Sequence, residues 1–280
     1  MNIFVNSFIV YDMRKIPFCQ AHPALDVMAF KAYNVFMENI AGKTALVVGG
    51  SGGIGAAVCS KLADCGTDLI IHGSAESAKF DALAKRLSEK VRVEKIIQHF
   101  ESGFEASFEK TRLNQTLIRA DIICVCFGPF VQKELHRTTA EDWRIAAELN
   151  YVLPGMIISS ALPAMMQKGW GRFLLMGGTR TDCIRAFKTN AAYAGAKTAL
   201  ATLARSTAVC YARYGITCNL IVPGFTRTEY ISESEQKKLA EKMPLHKLVE
   251  PEDIAETAVF LLRRPMINGA MLNVDGGWEP

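Results

Sequence analysis

The feature that most constrains this 280-residue chain is "TALVVGGSGGIGAAV", residues 44–58. A β-branched apolar run ends in five glycines within seven positions, and a helical pattern follows at once. Glycine permits a tight turn and lets backbone approach a pyrophosphate closely. The helix start beyond it offers unpaired N–H groups and the positive end of a dipole. The spacing of Gly49, Gly53 and Gly55, with Ser51 and Ile54 in the same loop, therefore points to a dinucleotide phosphate site rather than a merely flexible turn.

The remaining chain keeps the alternation that this unit begins. Short apolar runs at 44–48, 68–72, 94–100, 120–127, 172–178, 217–224 and 270–274 read as strands. Helical patterns occupy the intervals, among them 56–65, 76–89, 140–167, 190–206 and 251–264, with Pro154 and Pro163 marking irregularities in the long third one. Strands alternating with helices require right-handed crossovers and a parallel sheet. Near-continuous apolar strands fit a sheet covered on both faces. The fold class is thus α/β, a single Rossmann-type domain with a doubly wound parallel sheet. Residues 37–280 form that domain, with no repeat or linker inside it.

Half of the residues are apolar and 21% are charged, a globular composition. A net charge of +4 without a basic run gives no nucleic-acid footprint. No apolar stretch reaches the roughly 18 residues that span a bilayer. None of the eight cysteines forms a Cys-x-x-Cys pair and no histidine lies at ligand spacing, so no metal site is expected. Cys124 and Cys126 alternate along "IICVCF" and read as core filling. Unpaired cysteines in an α/β chain fit a reducing cytoplasm. The amino end, "MNIFVNSFIVYDMRK", lacks the leading positive charge and small-residue cleavage site of a signal peptide. Met37 opens "MENIAGKTALVVGG", a natural domain start. Residues 1–36 are read as an N-terminal extension, or as a product of start-site choice.

The second strand should end at an adenosine ribose, where a carboxylate would repel a 2′-phosphate. The tip reads "IIHGSAES", with Gly73 at the acidic position and Ser74 after it. That leaves room and a hydroxyl for a 2′-phosphate, which favours NADP(H). NAD(H) stays open because Glu76 is close and because Ser74 is also placed to cap the next helix.

Further on, "NAAYAGAKTALATLARS" sets Tyr193 and Lys197 four residues apart on one helix face. Taken alone, that is an ordinary surface pair. As a device, the ammonium lowers a phenol that titrates at about pH 10 and fits it for acid–base work.

Together, "GGSGGIG" at 49–55, "ELN" ending at Asn150, "YAGAK" at 193–197, "NLIVPGFTRT" at 219–228 and "NVDGGW" at 273–278 resemble the short-chain dehydrogenase/reductase family, of the 3-oxoacyl-carrier-protein reductase type. The resemblance covers about residues 37–280. It implies hydride transfer between a nicotinamide and a carbonyl or alcohol carbon. By position, Tyr193 matches the proton donor, and Lys197 the lysine that binds the nicotinamide ribose and tunes the tyrosine. Asn150 matches the helix asparagine that supports a water relay; as a structural residue it would bond the helix backbone. Pro223, Gly224 and Thr228 match the family's loop at the nicotinamide end, and Gly128 is expected among the cofactor-binding residues. The late helix and last strand match the family's subunit contacts and imply a homotetramer or a homodimer.

Two departures stand out. Val125-Cys126-Phe127-Gly128 replaces the family's Asn-Asn-Ala-Gly. Gly178 stands where the family has the serine that bonds the substrate oxygen, leaving Thr179 or Thr181 to supply a hydroxyl; Thr179 is the expectation. Loss of such a donor costs on the order of 10²-fold in rate. Arg180, Arg185 and Lys188 lie in the same loop, either solvated or ready for an acidic substrate or a phosphopantetheine. The polar helical stretch 225–248 reads as a substrate lid. The expected function is an NADP(H)-dependent reductase of a ketone or 3-oxoacyl thioester. The alternative is a catalytically impaired dinucleotide-binding sensor or assembly protein. An enoyl reductase is disfavoured, because its wider tyrosine spacing falls on Asn190.

Overall fold

The computed structural model describes residues 37–278. The extension 1–36, with Cys19, lies outside the described residues. Seven strands form one sheet: β1 Thr44–Val48, β2 Asp68–Gly73, β3 Val93–Ile97, β4 Ile122–Val125, β5 Gly171–Met176, β6 Ile216–Pro223 and β7 Met271–Val274. Their order is β3-β2-β1-β4-β5-β6-β7, and every neighbouring pair is parallel. The chain reverses direction across the sheet between β1 and β4, so their carboxyl ends open a crevice at the switch point, where such sheets bind ligands.

Strand alternation divides the apolar residues between two cores. Leu46, Val48, Ile70, Ile123, Val125, Phe173, Leu175, Leu220 and Val222 point to one face. Ala45, Val47, Leu69, Ile71, Ile122, Cys124, Leu174, Met176 and Ile221 point to the other. The second face is covered by α1 (Gly53–Asp64) and α2 (Ala78–Ser88). On the first face lie α3 (Arg112–Leu117), then α4 (Ala140–Ala147), which runs through a π-helical turn at Glu148–Val152 into α5 (Leu153–Lys168), and α6 (Ala191–Tyr211). After β6, α7 (Glu233–Lys242) rides in the expected lid, and α8 (Pro251–Leu262) returns to the second face. Cys124 is buried in this core and Cys126 packs against it. The seven described cysteines are all free thiols.

Differences from the sequence reading have local causes. β3 stops at Ile97 rather than residue 100, because Phe100 turns into the core with Phe104 and Phe108 as an edge-on aromatic group. A 3₁₀ turn at Phe104–Lys110 and the short α3 fill 101–119, a stretch the sequence reading left unassigned. Their signal is present: Thr111 caps α3 by accepting from the Asn114 N–H at 3.1 Å, and Leu113, Thr116 and Leu117 bury at helical spacing. The irregularity foreseen near Pro154 is the π turn. Pro154 has no N–H for the carbonyl four residues back, that of Asn150, and the ladder widens there.

The continuous helical run Ala140–Lys168 is long and apolar enough to cross a membrane by length and composition, contrary to the sequence expectation. Half of its most apolar window is buried inside the fold, where Leu149, Leu153, Ile157, Ile158 and Ala161 pack against the sheet. Its apolarity is accounted for as the inner helix of a two-faced α/β layer.

Candidate active site

The glycine loop is held open by contacts that exclude side chains. A Cβ on Gly55 would stand 2.1 Å from the Gly49 carbonyl oxygen, and one on Gly49, whose φ is +78°, would stand 3.0 Å from the Phe127 backbone. Gly53 also has positive φ, +49°. Ser51 packs toward Gly73, where an added Cβ would meet its Cβ at 3.0 Å and the Phe80 ring at 2.9 Å. The ribose end of β2 therefore has no room for a carboxylate on Gly73. Ile54 packs against the second core. Ser74 is exposed, and the cap of α2 is Ser77, which accepts from the Phe80 N–H at 3.2 Å. Glu76 is paired with Lys95 at 2.9 Å.

A residue the sequence reading passed over supports the loop. His72, at the end of β2, is buried between two backbone groups. Its Nδ1 accepts from the Gly49 N–H at 3.2 Å, and its Nε2 donates to the Gln98 carbonyl at 2.8 Å. That pairing needs the neutral ring, and burial pulls its pKa down to about 4. Its place just before Gly73 is the signal that would have found it.

The residues expected to handle protons converge. The chain beyond β4 passes Gly128, where a Cβ would stand 2.3 Å from Asn150 Oδ1 and 2.7 Å from Lys197 Nζ. Glycine is thus required at 128 for the asparagine and the lysine to reach one point. Asn150 lies in the π turn, fully buried. Its Nδ2 donates to the Pro129 carbonyl at 3.1 Å rather than to the helix backbone, and its Oδ1 has no partner among the described residues. Lys197, buried on α6, donates to the Met176 carbonyl at the end of β5 at 2.9 Å. Tyr193 lies one turn earlier with Phe130 edge-on against its ring at 4.9 Å.

Electrostatics here differ from the sequence expectation. Lys197 Nζ is 6.0 Å from the Tyr193 ring centre and turned to a carbonyl. Burial therefore dominates both groups: it pushes the Tyr193 phenol up to about 12 and the Lys197 ammonium down to about 8. The expected lowering of the phenol is not a property of this arrangement. Cys126, near Lys197, is a neutral thiol with its pKa pushed by burial to about 12.

At the position of the missing serine, Gly178 lies directly under the phenol. A Cβ there would be 2.8 Å from both Cε1 and the hydroxyl oxygen of Tyr193. The two candidate threonines separate. Thr181 is fully buried; its Oγ1 donates to the Gly178 carbonyl at 2.8 Å and accepts from the Gly178 N–H at 2.9 Å, so it closes the turn. Thr179 is half-buried in that turn. Arg180 follows with φ +64°, its guanidinium 6.0 Å from the Phe187 ring centre and its buried Nε without a partner among the described residues.

The loop after β6 borders the same crevice. Pro223 ends β6, and Gly224 donates its N–H to the Val274 carbonyl at 2.9 Å. A Cβ at Gly224 would meet the Asp275 Cα at 2.7 Å, so a glycine lets β6 and the chain beyond β7 close together. The Thr228 methyl approaches Gly53, 3.4 Å from a Cβ placed there. The stretch expected to form a lid is tied at both roots: the Arg227 N–H donates to the Val249 carbonyl at 2.9 Å, and Met243 and Leu248 are buried. Its helix α7, closed by a Ser232–Glu235 capping box, buries no residue.

Known proteins share this plan. A family model described as enoyl-(acyl carrier protein) reductase matches residues 49–279. A D-β-hydroxybutyrate dehydrogenase of Cupriavidus necator is 28% identical over 263 residues, covering 85% of this chain and 98% of the relative. A 3-oxoacyl-[acyl-carrier-protein] reductase of Rickettsia felis is 29% identical over 247 residues, covering 86% and 98%. A dehydrogenase/reductase structure from Sinorhizobium meliloti superposes with a TM-score of 0.75 at 25% identity, covering 88% and 98%. With the parallel sheet, the glycine turn and the Tyr193–Lys197 helix in one frame, the chain belongs to the short-chain dehydrogenase/reductase family of oxidoreductases, acting between an alcohol and a carbonyl carbon.

Proposed function

We propose that the protein reduces a 3-oxoacyl group, or a related ketone, with NADPH in preference to NADH, and that Tyr193 is the proton donor. The convergence of Tyr193, Lys197 and Asn150 beside the switch-point crevice carries the reading. The glycine cradle fits a dinucleotide: its glycines present no side chains, and the first N–H of α1 already donates to an anion, the Glu229 carboxylate. Gly49, Ser51, Gly53, Ile54 and Gly55 would hold the pyrophosphate, Ser74 the 2′-phosphate, and Gly128, Lys197, Pro223, Gly224 and Thr228 the nicotinamide end.

A nicotinamide bound there supplies the hydride. With its pKa pushed to about 12, Tyr193 is a protonated phenol at neutral pH and gives its proton to the carbonyl oxygen. Thr179 donates the second hydrogen bond to that oxygen, since Thr181 is committed to its turn. The Lys197 ammonium would bind the nicotinamide ribose, and Asn150 Oδ1 accepts from the path that returns the proton. Arg180 gives the crevice a positive rim for an acidic acyl group. The two relatives named above share a 3-oxo or 3-hydroxy acyl substrate by name, which supports the same class here. The Tyr193–Lys197 spacing and Asn190 speak against enoyl reduction. A cytoplasmic homotetramer or homodimer, with neither nucleic acid nor membrane as partner, completes the reading.

Fluorescence titration with NADPH and NADH, followed by oxidation of NADPH against ketones and 3-oxoacyl thioesters, tests it. NADPH should bind about tenfold or more tightly than NADH and turn over on a 3-oxoacyl thioester. Binding with no turnover on any carbonyl would transfer the assignment to a dinucleotide sensor.

A further inference from the structure

The phosphate cradle is covered by the chain's own lid. Gly52, the cap position of α1, offers no side chain, and the first turn of α1 has no acidic residue. The missing cap comes from far along the chain: Glu229 Oε1 accepts from the Gly53 N–H at 3.2 Å. The same oxygen is ion-paired to Lys79 on α2. A Cβ on Gly52 would stand 2.6 Å from both Glu229 Oε1 and the Tyr230 hydroxyl, and one on Gly53 would stand 3.3 Å from the Tyr230 ring. Residues 228–230 thus lie directly on Gly52 and Gly53. Burial acts to raise the Glu229 carboxyl, but the Lys79 pair and the bonds from backbone N–H groups outweigh it and hold it below its ordinary range. An anion therefore sits on the helix start, the chemistry a phosphate oxygen would use.

We propose that Glu229 and Tyr230 form an internal latch that occupies the dinucleotide phosphate cradle, so that cofactor entry must expel the 228–230 segment and thereby release the lid. The inference rests on the reading of 49–55 as a dinucleotide site. It gives Lys79 two successive anionic partners, first the lid carboxylate and then the phosphate that replaces it. It also links the events in order. The lid root at Arg227–Val249 stays fixed, while the 228–230 segment swings and carries α7 with it. A competent state that is only a fraction of the population weakens apparent affinity by that fraction.

The test compares the full-length protein with Glu229→Ala and Glu229→Gln. The readouts are NADPH titration and hydrogen exchange at residues 51–56 in the absence of cofactor. Removing the latch should tighten NADPH binding about tenfold and speed exchange at the first turn of α1. Glu229→Gln keeps an acceptor for Gly53 but loses the Lys79 pair, and should fall between. Glu229 is exposed and caps a single N–H, so the variants should melt within about 2–6 °C of wild type. Unchanged or weaker NADPH binding in both variants, with wild-type binding intact, overturns the latch and leaves the functional reading standing. If none of the three proteins binds either nicotinamide, the dinucleotide reading fails and the latch fails with it.

Discussion

Replacing Tyr193 by Phe should lower turnover by roughly 10²–10⁴-fold, the span associated with a positioned general acid, while NADPH binding stays within about threefold of wild type. The substitution removes one hydroxyl and leaves the ring against Phe130 and over Gly178. The packing that fixes α6 is untouched, so the melting temperature should hold. The discrimination lies in the split between kcat and cofactor affinity. A tyrosine that merely packs would change neither, and a misfolded site would change both. Unchanged turnover in a protein that still oxidises NADPH would remove Tyr193 from the mechanism and pass the acid role to Thr179 or solvent.

The second large effect concerns stability against pH and the buried histidine. His72 is neutral in the fold with its pKa drawn down to about 4, against about 6.5 in the unfolded chain. The unfolded state binds the extra proton between those values, so stability falls as pH drops through this window. The folded protein loses about 2 kcal/mol from this group between pH 7 and pH 5, and roughly 3 kcal/mol once pH is below 4. The physical loss is specific: a protonated Nδ1 cannot accept from the Gly49 N–H, so the glycine loop loses its support first. Urea unfolding at pH 7 and pH 5 measures it. Wild type should lose the stated amount, and His72→Gln, less stable at pH 7, should lose little more on acidification. Equal slopes in the two proteins would show that His72 is not the titrating group.

Much of this arrangement was written in local pattern. Apolar runs such as "TALVV" and "TCNLIVPG" placed strands within a residue or two, because a buried parallel strand has no polar face to blur its limits. The Tyr193–Lys197 pair was legible through its spacing and Asn150 through the family resemblance, and the fold brings the lysine and the asparagine together at Gly128. What spacing does not carry is orientation. Lys197 turns to the Met176 carbonyl and leaves Tyr193 under the control of burial, which reversed the expected direction of the phenol's pKa. Thr179 was the expected donor with Thr181 as the alternative, and the turn geometry shows Thr181 spent on Gly178. The contact between Glu229 and Gly53 spans 176 residues, and His72 acts through two backbone groups, neither of which leaves a local motif.

The central claim is that this site moves a hydride from a nicotinamide to a carbonyl carbon. Incubating the protein with NADPH carrying deuterium at both C4 positions and a 3-oxoacyl thioester, then weighing the product alcohol, tests it most directly. The product alcohol should be heavier by one deuterium at the carbinol carbon, and little of it should form when Tyr193 is replaced by Phe. Saturating NADPH binding with no deuterium in any product across the carbonyl panel would contradict it.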